Sequence, residues 1–262
     1  MITLDSAERV VCWFSCGTSS AAATRIAIGR LAKRPAGSYQ LVVARCVVAE
    51  EHADNDRFAA DCENWFGHAV LDLKSREYAS CEDVWTRERY MSGHGGNRCT
   101  VEMKKAVRWA FEKDFAPDLQ VFGFTSEERL RAKRFHESNP DVNLCVPLID
   151  AGLTKANAHA MATRMNIELP AMYRLGFNNA NCIGCVAASS PRYWNRIRRH
   201  FPEIFERRAV LSRELNVRLV RTTTLPRVRL FLDELDPALD DDDPEPTIDC
   251  GLACRIAERE AA

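Results

Sequence analysis

The chain predicts an α/β fold, a doubly wound and mostly parallel sheet, followed by a helical, cysteine-containing C-terminal region. Three observations carry this reading. Short apolar runs alternate with longer segments of helical periodicity, the first apolar run ends in a turn of small residues that opens a helix, and the alternation stops after Cys185. Strand followed by helix, repeated, covers both faces of a parallel sheet, so its strands read as continuous apolar runs.

The first strand is expected at residues 10–14 and its helix at 19–32, where alanines dominate. A second strand at 41–48 leads to a helix at 56–66, and a third at 69–73 leads to helices at 82–90 and 100–115. The fourth strand, 119–122, is followed by a helix at 127–136, and the fifth, 142–146, by one at 154–165. These assignments rest on β-branched and aromatic runs for strands, and on apolar spacing at three and four residues for helices. Residues 191–217 read as one or two helices, and 233–249, acidic and proline-containing, as a flexible linker. The chain thus divides into an α/β domain carrying the CxxC segment (1–186), a basic helical region (187–232), and an acidic linker with a cysteine-containing tail (233–262). No internal repeat is visible.

Composition narrows the setting. With 46% hydrophobic and 28% charged residues the chain is an ordinary globular sequence rather than a disordered one. A net charge of −1 carries no global message about nucleic acid, so any such message is local. The first residues lack the basic flank and apolar segment of a secretion signal, and no apolar run is long enough to cross a bilayer. Eleven cysteines in that context point to a reducing, cytoplasmic setting in which thiols stay free or bind metal. Cys12, Cys46, Cys62, Cys81 and Cys145 read as small buried hydrophobes.

Two motifs carry chemistry. Ser15-Cys16-Gly17-Thr18-Ser19-Ser20-Ala21 runs from the first strand into the first helix. Its small residues let successive backbone N–H groups form a nest at a helix N-terminus, which suits phosphate, pyrophosphate or sulfate; a helix capped by serine is the plainer alternative. It lacks the Gly-Lys-Ser/Thr ending of a Walker A loop. The second motif is Asn181-Cys182-Ile183-Gly184-Cys185, read with Cys99 upstream and Cys250-Gly251-Leu252-Ala253-Cys254 near the C-terminus. Two cysteines at this spacing place both thiolates on one metal or cluster, and the others offer further ligands or a nucleophile.

The residues resemble a family in order along almost the whole chain. Ser15 to Ala21 is similar to the modified PP-loop of phosphoadenosine phosphosulfate (PAPS) and adenosine phosphosulfate (APS) reductases, within the superfamily of adenine-nucleotide alpha hydrolases and ATP pyrophosphatases. Arg98-Cys99-Thr100 with Lys104 resembles the cysteine-containing segment of the cluster-bearing APS reductases, which carry two adjacent cysteines there. Gly123 with Glu128, Arg129 and Arg131, Pro147-Leu148-Ile149-Asp150, and Tyr173-Arg174-Leu175-Gly176-Phe177 before the CxxC all resemble further family segments. Asp249-Cys250-Gly251-Leu252 is similar to the tail that carries the reductase nucleophile. Three departures stand out: Ser19 where ATP pyrophosphatases usually carry Asp, Thr100 in place of a second cysteine, and Ala253 in place of the tail histidine.

The resemblance implies a Rossmann-like, PP-loop type fold with an adenine nucleotide (PAPS, APS or ATP) bound by Ser15, Cys16, Gly17, Thr18, Ser19, Ser20, Lys104, Gly123, Arg129 and Arg131. It implies a 4Fe–4S cluster on Cys99, Cys182 and Cys185, with Cys250 or Cys254 as a fourth ligand. A zinc site from Cys182, Cys185, Cys250 and Cys254 is the alternative metal. In the leading reading Cys250 attacks the sulfur of an adenylyl sulfate, Cys254 resolves the product, and a thiol donor turns the enzyme over. The alternative is an ATP pyrophosphatase and sulfurtransferase acting on tRNA or DNA, and a third reading is a non-catalytic nucleotide binder with structural zinc. An arginine-rich region from Arg192 to Arg229, with Tyr193 and Trp194 at its start and only Glu203, Glu206 and Glu214 as acids, offers a nucleic-acid contact. His94-Gly95-Gly96-Asn97 reads as a lid beside Cys99.

Overall fold

The structure is a computed structural model and describes residues 2–93, 95–222 and 227–239. β1 (Arg9–Trp13) lies at the centre of the sheet, buried everywhere past Arg9. Its side chains alternate between two apolar layers, as a pleated strand requires. Val10, Cys12 and Phe14 face one core with α1 (Thr18–Leu31) and α2 (Asp54–Phe66), while Val11 and Trp13 face another on the opposite side. β2 (Gln40–Cys46) and β3 (Val70–Leu73) extend the sheet on one side of β1.

The chain then leaves the sheet through α3 (Cys81–Glu88) and a compound helix. The latter begins as α4 (Arg98–Thr100), widens into one π-helical turn (Val101–Lys105), and continues as α5 (Ala106–Phe115). A single uninterrupted helix is the sequence expectation; the wide turn shifts the side-chain register in the segment that carries Lys104, whose ammonium pairs with Glu51. β4 (Leu119–Val121) returns beside β1, and a 3₁₀ turn (Ser126–Glu128) feeds α6 (Arg129–Ser138). β5 (Leu144–Cys145) closes the far edge and is shorter than the run 142–146 suggests. α7 (Pro147–Asp150), α8 (Lys155–Arg164) and α9 (Ala171–Arg174) follow.

All five strands are parallel, in the order β3-β2-β1-β4-β5. The doubly wound sheet is therefore present, and the direction of winding reverses between β1 and β4. In such sheets the crevice outside the carboxyl ends at the reversal point is where ligands bind. Alanines on α1 and α8 allow the two helices to pack closely over one face, with Ala21, Ala27, Ala158 and Ala162 all fully buried. Phe111 on α5 and Phe135 on α6 cover the other face.

Beyond the sheet, α10 (Pro191–His200) and α11 (Pro202–Glu214) form two helices rather than one. Pro202 disfavours helical backbone at the residue before it, and Phe201 sits at φ −140°. β6 (Val220–Arg221) and β7 (Arg229–Leu230) pair antiparallel, and a 3₁₀ turn follows at Leu232–Glu234. This corrects the flexible-linker expectation at its start: Leu235 is buried, and Asp233 and Glu234 hold Arg213 at 2.9 and 2.8 Å. A third apolar core joins α3, the π-helical turn, the CxxC segment, α10 and α11. Among the described residues no helix is long and apolar enough to cross a membrane.

Candidate functional site

The turn after β1 is built by its own serines. Ser20 Oγ donates to the Gly17 carbonyl oxygen (2.8 Å) and accepts from the Ser15 backbone N–H (3.1 Å). Cys16 adopts φ 53°, the left-handed region that non-glycine residues seldom enter, so the loop is held in a tight concave bend. Gly17 is the N-cap of α1 and no side chain caps that N-terminus. The serine-cap alternative is thereby replaced by a helix end that faces the crevice.

Gly123 meets this turn from β4. A Cβ there would lie 2.6 Å from both the Cα and the backbone N of Ser20 and 2.8 Å from the Ser19 carbonyl carbon. Because those are backbone atoms, a methyl group would push α1 or the β4 loop out of place. Gly123→Ala is expected to destabilise the fold by about 1–3 kcal/mol through overpacking. Thermal unfolding with and without added nucleotide is the check, and an unchanged midpoint would contradict the close approach.

A cavity of about 400 Å³ opens between these two loops, within the range of small-molecule sites. Trp13, Phe14, Phe122 and Phe124 give it apolar walls; Ser15, Gly17, Ser19, Ser20, Lys104, Gly123 and Arg131 are also on its surface. Cys16 and Thr18 are buried behind the turn rather than lining the cavity, and Thr18 Oγ1 lies 3.1 Å from His159 Nδ1. Arg129 does not reach the cavity: its guanidinium donates to the Ile149 carbonyl at 3.0 Å, which corrects its expected role. Lys105, next to Lys104, is fully buried with its ammonium 5.5 Å from the Trp109 ring centroid.

Cations at the cavity are matched by carboxylates. Lys104 Nζ pairs with Glu51 at 3.1 Å and Arg131 with Glu128 at 2.6 Å. Lys155, which sequence reasoning missed, joins the wall, donating to Asn179 Oδ1 (2.9 Å) and to the Asn178 carbonyl. Its position one residue past the N-cap of α8 was the available signal. Burial, then Glu51, pushes Cys16 up to about 12 against the Arg45 guanidinium, which donates to its sulfur at 3.3 Å. Burial does the same to Cys46, also to about 12.

Immediately beyond Lys104 lies a second, narrow cavity lined by Cys81, Trp85, Cys99, Thr100, Lys104, Cys182, Cys185 and Val186. Cys99, Cys182 and Cys185 thus line one cavity, as the family resemblance implies, and Cys81 joins them. Cys81 is buried in the third apolar core, as its reading as a small buried hydrophobe expects, and it also lines this cavity; hydrogen bonding with Cys182 and Cys99, and then burial, hold its thiol well above the usual range. It directly follows Ser80, the N-cap of α3, whose hydroxyl accepts from the Asp83 backbone N–H at 2.9 Å. Among the described residues no three His, Cys, Asp or Glu side chains converge on one ion position; the cysteines face a shared cavity instead. Cys250 and Cys254 lie outside the described residues.

Glu50 ties this site together. Its carboxylate accepts from the backbone N–H of Cys81 (2.9 Å) and Glu82 (3.0 Å), and its carbonyl accepts from Ile183 N–H (2.8 Å). Tyr193 OH accepts from Cys185 N–H at 2.8 Å, and Trp194 Nε1 donates to the Ala188 carbonyl at 2.9 Å. Both rings are buried, which corrects the expectation that these two side chains contact a nucleic acid. Several arginines expected to face a nucleic acid are likewise used internally. Arg208 pairs with Glu82 at 2.5 Å, Arg198 donates to the Leu235 carbonyl at 2.9 Å, and Arg196 donates to the Gly176 carbonyl. In the expected lid, His94 lies outside the described residues, while Gly93 and Gly96 pair as an isolated bridge.

No protein-family model matches the chain, and no curated protein matches it in sequence. Among solved structures the chain is similar to the PAPS reductase from Candida auris in its phosphate complex, with a TM-score of 0.47 and 9% identity over 66% of this chain and 80% of that one. It is also similar to the U34-tRNA thiolase NcsA from Methanococcus maripaludis with its 4Fe–4S cluster, with a TM-score of 0.47 and 13% identity over 81% of this chain and 69% of that one.

Proposed function

We propose that the chain is a sulfur-handling enzyme of PAPS reductase-like, PP-loop type, which binds an adenylyl sulfate beside a cysteine-held iron–sulfur cluster. The observation that carries this reading is Lys104, a residue common to the walls of the large cavity and the cysteine cavity. A phosphosulfate bound at the turn after β1 and a metal centre held by the cysteines would share that one residue. The uncapped α1 N-terminus and Arg131 favour the anion, and the aromatic walls favour the base.

The donor set fits an iron–sulfur cluster: buried thiols on separate segments around one apolar cavity, with no carboxylate or imidazole on its wall. Cys99, Cys182 and Cys185 would hold it, and when bound it supplies a polarisable, redox-capable centre next to the anion site. Burial raises the Cys16 and Cys46 thiols, and in this reading the attacking thiolate is the tail cysteine, Cys250. Its sulfur forms a bond to the sulfate sulfur as the sulfur–oxygen bond to the nucleotide breaks, leaving the adenosine phosphate as an anion. Cys254 then attacks Cys250 Sγ, releasing sulfite and forming a disulfide, and an external dithiol restores both thiols.

Sulfite release from PAPS or APS in the presence of a dithiol is the test, with Cys250→Ser expected to abolish it. AMP and pyrophosphate from ATP, with sulfur incorporated into tRNA or DNA, would replace this reading with sulfur transfer. The exposed Arg221 and Arg227, which no acidic side chain engages among the described residues, favour that second reading. Neither product, with stoichiometric zinc, would leave a nucleotide-binding protein with a structural metal.

A further inference from the structure

We propose that α3 completes the cysteine site: Cys81 is its fourth thiolate ligand, and Trp85, one helical turn on, donates its indole N–H to a sulfur of that site. This rests on the cluster reading above. Cys81 and Trp85 stand four residues apart on α3 and share one face of it. Both line the same narrow cavity as Cys99, Cys182 and Cys185. Trp85 is 2% exposed, and its Nε1 is buried with no hydrogen-bond partner among the described residues.

An indole N–H is a donor only, and a buried donor nearly always meets an acceptor. The cavity wall presents thiol sulfurs, and a cluster bound there would add sulfide acceptors. Arg208 fixes the indole from behind, its guanidinium carbon 4.5 Å from the ring centroid and its Nη1 on Glu82. Glu50 fixes the start of the same helix, through the N–H groups of Cys81 and Glu82, while its carbonyl holds the CxxC segment. Ligand, donor and their supports are therefore positioned together. Outer hydrogen bonds of this kind orient ligands and shift reduction potentials.

With four thiolates from the body of the protein, every iron is ligated and the tail cysteine is released from metal binding. Trp85 is a positioning residue in this scheme. It acts through the cluster's sulfur rather than on substrate.

The test uses the full chain purified anaerobically, with iron, acid-labile sulfide and the electron paramagnetic resonance spectrum as readouts. Cys81→Ser is expected to lose most of its iron or to convert to a three-iron signal, while Cys250→Ser keeps the full complement. Thr100 lines the same cavity, so Thr100→Cys added to Cys81→Ser is expected to restore iron, which also shows that the Cys81 variant folds. Trp85→Phe is expected to keep its iron and shift the reduction potential to more negative values. Full iron in Cys81→Ser together with loss in Cys250→Ser would overturn the ligand assignment. An unchanged potential in Trp85→Phe would overturn the donor. Wild-type protein without iron and sulfide would overturn the proposed function itself, whichever variant it is compared with.

Discussion

Arg208→Ala is expected to lower stability by about 3 kcal/mol, because removing one partner of a buried ion pair strands the other. The Arg208 side chain is 3% exposed, and it lies 4.0 Å from Glu50 as well as 2.5 Å from Glu82. At this chain length the midpoint of thermal unfolding would fall by roughly 6–12 °C. Arg207 holds the same Glu82 at 2.6 Å but is 64% exposed, so Arg207→Ala should cost less than about 1 kcal/mol. Equal losses from the two variants would contradict the docking of α11 on α3. The interaction also has a pH signature. Burial works to raise the Glu82 carboxyl, but hydrogen bonds from Arg207 and Arg208 prevail and hold it below its ordinary value. A group depressed on folding contributes fully above its unfolded value, and that contribution disappears as pH falls through the folded one. The difference in midpoint between wild type and Arg208→Ala should therefore be largest near neutrality and shrink in acid below about pH 4.

Lys104→Ala is expected to weaken adenine-nucleotide binding by roughly 10–150-fold, the equivalent of about 1.5–3 kcal/mol for a charge-assisted contact. The loss has two parts. An ammonium that faces the anion is gone, and Glu51, whose side chain is only 13% exposed, is left uncompensated beside the cavity. Adding Glu51→Gln should recover the second part and not the first. Titration of the three variants with nucleotide separates them, and unchanged affinity in Lys104→Ala would remove the observation on which the proposed function rests.

The sheet was legible because parallel strands bury both faces, so residues 10–14 and 41–44 are apolar throughout. The turn after β1 was legible for a related reason: only small residues allow it. The π-helical turn was not, because widening a helix by one residue leaves its apolar spacing almost intact and depends on what Cys46 and Glu51 offer Lys104. Cys81 escaped because one isolated cysteine at a helix start looks the same whether it packs or binds. Its meaning comes from Cys99 and Cys182, which only the fold brings alongside. The arginines of α10 and α11 misled for the opposite reason. Charge density is a property of the segment, but Arg198, Arg208 and Arg213 find their partners at Leu235, Glu82 and Asp233, far away in sequence.

Glu50 bears on the order in which the molecule assembles. One residue after β2 must meet the start of α3 through its carboxylate and the CxxC segment through its carbonyl, contacts that close loops of very different length. Loop closure makes the longer contact the slower one to form, since chain entropy opposes it before packing rewards it. The nascent sheet and α3 can therefore form while residues 182–185 are still to be made, leaving Cys81 and Cys99 waiting for their partners. On the proposed reading, loading of the cysteine site then becomes a late event, coupled to the docking of α10 and α11, and a chain truncated before Pro191 should fold its sheet yet fail to retain metal.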